Sequence, residues 1–338
     1  QAAVEALRTP FTLHQLARCT HDYARGAEIL KEAVSLAEKR GERYELVRCA
    51  KSLGATYLGI GEFEQGEHWC AWAIEKFDGF NLRDGHLRLR LVNNWAFARI
   101  VLGDTVGLRQ LLYDTEVTLE PTLPKLAILF RSTLCQLELV LGNLKEAESL
   151  ARANLTIASR LTAGDYCHYL VRILIEKGEA EAALKEAQAV WTLIKDEAPY
   201  YHLSAMLSVG MALAALGKSE AEAFLIPPVT SKQPMEMRLL AASYLNFVGS
   251  SAVPPRLTEI FDGLSDVGKK LFSGPDSLFE SQEAYIKVLG TNSGITLKGD
   301  FTELSTAPME MITMFLMNPE GVSADMLTEI FSPDKANK

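Results

Sequence analysis

Leu53-Gly54-Ala55-Thr56-Tyr57-Leu58-Gly59-Ile60-Gly61-Glu62-Phe63 is the stretch on which the fold turns. Together with the preceding Tyr44-Glu45-Leu46-Val47-Arg48-Cys49-Ala50-Lys51-Ser52 it carries an apolar stripe at helical spacing and lacks proline, which predicts a helix. Gly61 then follows an aliphatic residue and marks a tight turn, because glycine enters the left-handed region without a Cβ clash. Beyond it a second apolar stripe begins at Phe63. The unit is helix, turn, helix, with small Gly54 and Gly66 letting the two helices approach closely and Tyr57 filling the next layer.

Working outward, the same punctuation recurs at Gly103, Gly142, Gly178 and Gly217, at successive spacings of 42, 39, 36 and 39 residues counted from Gly61. An aliphatic residue precedes each of these turns except Gly178, which follows Lys177. Each is followed by a stretch rich in Ala, Leu and Glu, good helix formers with stripes at i, i+3, i+4 and i+7. Small residues equivalent to Gly54 stand at Ala96, Cys135 and Gly210, while Val171 departs from the rule. Gly26, Leu30 and Ala33, forty residues before Gly66, Cys70 and Ala73, extend the pattern one unit earlier. A single hairpin cannot bury its own stripe, so the core must come from stacking about six of them.

Leu53-Gly54-x-x-Tyr57, the turn at Gly61 and the small second-helix residues Gly66 and Ala73 resemble the tetratricopeptide repeat family. The periods of 36 to 42 residues are longer than that family's usual one. The resemblance implies an all-α fold, a right-handed superhelix of hairpins whose first helices line a concave face. In this register Arg48, Lys51, Arg90 and Asn93 fall on that face in two consecutive repeats. They form the candidate binding site, a basic groove for a carboxylate-bearing peptide, an effector or an acidic helix. Trp69, Trp72, Trp95 and Trp191 are expected to pack between repeats.

The array is expected to span residues 1–225 and to stop near Pro227-Pro228, which read as a break. Residues 226–290 read as a helical cap and linker, including short helices at RLTEIFDGLS and SQEAYIKVL. In 291–338 the texture changes. Ile295 to Lys298 and Phe301 to Leu304 alternate like strands, Pro308 opens a helix, and Ser323 caps another. Met314-Phe315-Leu316-Met317-Asn318-Pro319-Glu320-Gly321-Val322-Ser323, followed by Leu327, Phe331, Pro333 and Asp334, resembles the opening of a bacterial winged-helix domain of the response-regulator and antibiotic-regulatory type. The resemblance implies a small α+β segment, a partial winged helix. The chain ends at Lys338, where the recognition helix of that family would begin, and it opens on Gln1, so a piece of a longer protein is expected. With three Lys against seven acidic residues, a net of −4, residues 291–338 do not make a DNA grip alone.

The overall charge of −9 argues against a broad nucleic-acid surface. No apolar run reaches the length of a membrane span and no secretory signal opens the chain, so a cytoplasmic protein without a membrane partner is expected. Cys19, Cys49, Cys70, Cys135 and Cys167 lie in helical segments without a C-x-x-C pair and are expected to be buried free thiols. Gly217-Lys218-Ser219 imitates the end of a phosphate loop, but Ala212 stands where its first glycine belongs. His68, His86, His168 and His202 lack metal-ligand spacing. No catalytic residue, metal or cofactor is assigned, and the chain is read as a non-enzyme.

The resulting expectation is the sensor region of a bacterial transcriptional regulator, resembling maltose-activator-like and antibiotic-regulatory-like proteins. A protein or small effector would occupy the concave groove, and DNA would be reached only through a winged helix completed beyond residue 338. A homodimer is left open. The alternative is a non-enzymatic adaptor that assembles proteins, with no DNA role.

Overall fold

The computed structural model describes residues 8–20, 22–119, 124–160, 162–195 and 199–274, together with three short strands between 285 and 303. The chain divides into two units, 1–277 and 278–338. Among the described residues the first unit is all-helical, with fifteen helices.

Twelve of them form six hairpins. They are α1 (Pro10–Cys19) with α2 (Tyr23–Arg40), α3 (Arg43–Ile60) with α4 (Phe63–Gly79), and α5 (Gly85–Leu102) with α6 (Leu108–Leu119). Then come α7 (Pro124–Val140) with α8 (Leu144–Ile157), α9 (Ala163–Glu176) with α10 (Ala180–Ile194), and α11 (Pro199–Ala215) with α12 (Ala221–Thr230). Within each of the last five hairpins the turn glycine has positive φ: Gly61 +88°, Gly103 +87°, Gly142 +82°, Gly178 +77° and Gly217 +64°. At Gly61 the amides of the turn close onto Leu58 and Tyr57 carbonyls, satisfying groups that the helix end leaves open. Start signals are equally local. Thr9 caps α1 through the Thr12 amide ahead of Pro10, and Asp22 and Asp84 cap α2 and α5 through the amides of Arg25 and Leu87.

Close packing explains the small residues. A Cβ on Gly54 would lie 2.6 Å from Cys70 Sγ and 3.2 Å from the Gly66 carbonyl oxygen, so α3 and α4 touch backbone to backbone. One on Gly210 would lie 2.7 Å from Leu225 Cγ, so there a side chain of α12 packs directly on the backbone of α11. Ala96, Cys135 and Val171 are buried in the same core. Adjacent hairpins are also joined by hydrogen bonds about one repeat apart. His14 Nε2 meets Ser52 Oγ at 2.8 Å, and the Tyr44 hydroxyl donates to Asp84 at 2.7 Å. Thr133 Oγ1 donates to Asn93 Oδ1 at 3.0 Å, and Ser204 Oγ to Asp165 at 2.7 Å. Trp95 Nε1 donates to Glu67, Trp69 packs edge-on against Trp72, and Trp191 does so against Phe224.

Pro227 and Pro228 do not break the chain, contrary to expectation: both lie inside α12. The helix is short, and burial of Ala221, Leu225, Pro228 and Val229 on one face holds it through two missing amides. The segment read as cap and linker also does more than connect. Helices α13 (Met235–Phe247), α14 (Pro255–Asp262) and α15 (Asp266–Phe272) fold back over the repeats. Met235 and Ile260 cover Gly61, and Ser265 Oγ donates to the Val101 carbonyl at 2.6 Å beside Gly103. The Phe272 ring stacks on Phe63 with centroids 6.2 Å apart.

In the second unit, β1 (Tyr285–Lys287), β2 (Gly294–Leu297) and β3 (Asp300–Glu303) form an antiparallel sheet in the order β1-β2-β3, with Ile286 opposite Ile295 and Ile295 opposite Thr302. The sequence pattern of SQEAYIKVL predicts a helix that would include residues 285–287. Pairing to β2 and the β-forming Tyr285-Ile286 pair outweigh the local helical pattern. The expected helices after Pro308, and with them the Asn318-to-Ser323 turn, lie outside the described residues.

Candidate functional site

The first helices of the hairpins carry the candidate site, and α13 to α15 divide it into a covered and an open part. Over α7 and α9 the face is covered. Tyr169 donates to Glu236 Oε1 at 2.9 Å, the Gln136 amide donates to the same oxygen, and Arg172 donates to the Lys270 carbonyl. Burial lowers the Arg172 pKa and raises those of Tyr169 and Glu176. Both ring nitrogens of His168, Arg172 Nε and the Tyr244 hydroxyl are buried without a hydrogen-bond partner. A partner therefore cannot reach this stretch while α13 is in place.

Over the first halves of α3 and α5 the face is open, and three of the four sequence-chosen residues gather there. Lys51 is half-buried, and its pKa is lowered first by that burial and then by Arg90, Arg18 and Arg48, all positive. No carboxylate lies within ion-pair reach of Lys51, Arg90 or Arg18 among the described residues. Arg48 differs, because it pairs with Glu45 on its own helix and lies over the Phe11 ring at 4.9 Å. Asn93 does not join the group. Its side chain is committed to Thr133, and it works as a rung between α5 and α7.

Two residues belong to this cluster that the repeat register does not reach. His14 on α1 is buried, with its pKa lowered to about 4 by burial first and then by Arg48, Lys51 and Arg18. Its Nδ1 has no hydrogen-bond partner. Arg18, one turn further on α1, is exposed. The signal for them was present in Thr9-Pro10, a cap followed by a first-turn proline, with Leu13 and Ala17 on one face.

The cysteines divide. Cys49, Cys70, Cys135 and Cys167 are buried free thiols, pushed up to about 12 by burial. Cys19 is exposed, contrary to expectation, since it ends α1 on the side away from Leu13 and Ala17. No described helix is long and apolar enough to cross a membrane. What the arrangement can do is hold an anion: it presents Lys51, Arg90 and Arg18 with no ion-pair partner among the described residues. Comparison with protein-family models and with curated proteins finds no match to the chain.

Proposed function

We propose that the chain is the effector- or partner-receiving region of a bacterial transcriptional regulator, a non-enzymatic scaffold of tetratricopeptide-like hairpins wound into a right-handed superhelix. The observation that carries the receiving role is the uncompensated cluster of Lys51, Arg90 and Arg18 on the first-helix face of a chain whose net charge is −9. Isolated cations gathered without acids repel one another, and a bound anion relieves that repulsion. The regulatory half of the reading is supported by the antiparallel β1-β2-β3 sheet, which precedes the Asn318-Pro319-Glu320-Gly321-Val322-Ser323 motif in sequence as strands precede the helices of a winged domain. DNA would be held by residues beyond Lys338 and not by this acidic segment.

The reading is tested by measuring DNA affinity of the full encoded polypeptide against salt. A regulator gives sequence-selective binding whose logarithm falls linearly with the logarithm of salt concentration. Absence of selective binding at low salt removes the regulator and leaves an adaptor. One feature favours that second reading: Val106 before α6, with Tyr113 and Val117 on it, is an exposed large apolar residue suited to a protein partner.

A further inference from the structure

A cavity of about 440 Å³ lies between the two ends of the hairpin array. Arg18, Thr20, Tyr23 and Thr56 line it from the N-terminal side, and Lys232 and Gln233, in the connection between α12 and α13, line it from the other. Its size falls in the range of small-molecule sites. Its charge is unbalanced. Arg18 and Lys232 are exposed, and neither has a carboxylate within ion-pair reach among the described residues. The acid in the lining, Asp22, already accepts from the Arg25 amide as the cap of α2. Near Arg18 stand Lys51 and His14, which feel its charge. The buried Gln233 completes the wall as an uncharged donor.

We propose that this cavity is the effector site of the array and that its ligand is a small polyanion, carrying two or more carboxylate or phosphate groups, gripped between Arg18 and Lys232 with Lys51 near the first of them. The inference rests on the effector-receiving reading of the first-helix face and is independent of the DNA-binding part. Because the cavity joins α1–α3 to the α12–α13 connection, more than 170 residues apart in the chain, its ligand clamps the two ends of the array together. Its volume of about 440 Å³ and its two facing cations suit a small molecule better than a folded partner.

The test is thermal unfolding and calorimetric titration of the full chain with pyrophosphate, citrate and chloride at matched ionic strength. Pyrophosphate or citrate raises the unfolding midpoint while chloride does not, and the stronger of the two identifies phosphate or carboxylate as the ligand chemistry. Arg18→Gln and Lys232→Gln each weaken that binding about tenfold or more and, being exposed, leave the ligand-free midpoint within about a degree. Lys51→Met raises the ligand-free midpoint and weakens binding, whereas a merely structural lysine would lower the midpoint when removed. An equal shift with chloride, or unchanged affinity in Arg18→Gln and Lys232→Gln, overturns the proposal. If the anion binds as described and DNA affinity ignores it, the cavity stands and the regulator falls.

Discussion

The phenol of Tyr169 donates to the carboxylate of Glu236 across 2.9 Å, joining a first helix of the array to α13, 67 residues later in the chain. Gln136 donates to the same oxygen from α7, and His168 Nε2 stands 3.9 Å from it. Three groups from two repeats thus converge on one acid. Glu236→Leu leaves the phenol and the amide without their acceptor and is expected to cost about 2–4 kcal/mol in urea unfolding. Tyr169→Phe costs less, about 1–2 kcal/mol. Their double-mutant cycle should give a coupling of at least about 1 kcal/mol, and additivity within error would show that the contact contributes nothing.

The two kinds of glycine separate cleanly. Gly54→Ala places a methyl 2.6 Å from Cys70 Sγ and against the Gly66 carbonyl, so α3 and α4 must move apart. A loss of about 2–3 kcal/mol is expected. Gly142→Ala meets nothing within 4 Å and suffers only from its φ of +82°. The expected loss there is about 1 kcal/mol. Denaturant midpoints of the two variants at equal m-value decide the order, and a larger loss at Gly142 would contradict it.

Phe272 distinguishes a core element from a loose appendage. It is fully buried and stacked on Phe63 in α4. Phe272→Ala should destabilise the whole first unit by about 3–4 kcal/mol, lowering fluorescence and helix-content midpoints together. A drop seen only locally in hydrogen exchange around 255–272 would mean that α14 and α15 are dispensable.

His14 makes stability depend on acid. Its pKa is lowered from 6.5 to about 4 in the folded chain, so between those values the unfolded chain binds the extra proton. The contribution is complete above pH 6.5 and lost as pH falls towards 4. Allowing for solvent screening, the loss is roughly 1–2 kcal/mol. His14→Gln should flatten that part of the stability profile between pH 6.5 and 4, and an unchanged slope would assign the dependence elsewhere.

Much of the helical architecture is written locally, which is why it can be read from the chain. Gly61, Gly103, Gly142 and Gly217 each follow an aliphatic residue, and a left-handed stop is a property of a few consecutive residues. The candidate site was legible only in part. Arg48, Lys51 and Arg90 share a register across repeats, but Asn93 in that register is taken by Thr133, a partner forty residues away. Arg18 and Lys232 meet around one cavity only because the array closes, and no local pattern encodes that. The same holds for α13 to α15. Their helical stripes are visible, but nothing in them names Gly61, Val101 or Tyr169 as the surface they cover. Pro227 and Pro228 misled for the reverse reason, since tertiary burial outweighed a strong local signal.

Ser265 closes on Val101 across 164 residues of chain. Hairpins that touched only their neighbours could fold one after another during synthesis and could fray from either end. Here the turns at Gly61 and Gly103 are finished by Met235, Ile260 and Ser265, which leave the ribosome long after them, so the early hairpins wait for the late ones. Unfolding is then one cooperative event across the first unit, with slow assembly as its counterpart. A chain that stops before Ser265 is not a shorter version of this protein but an unfinished one.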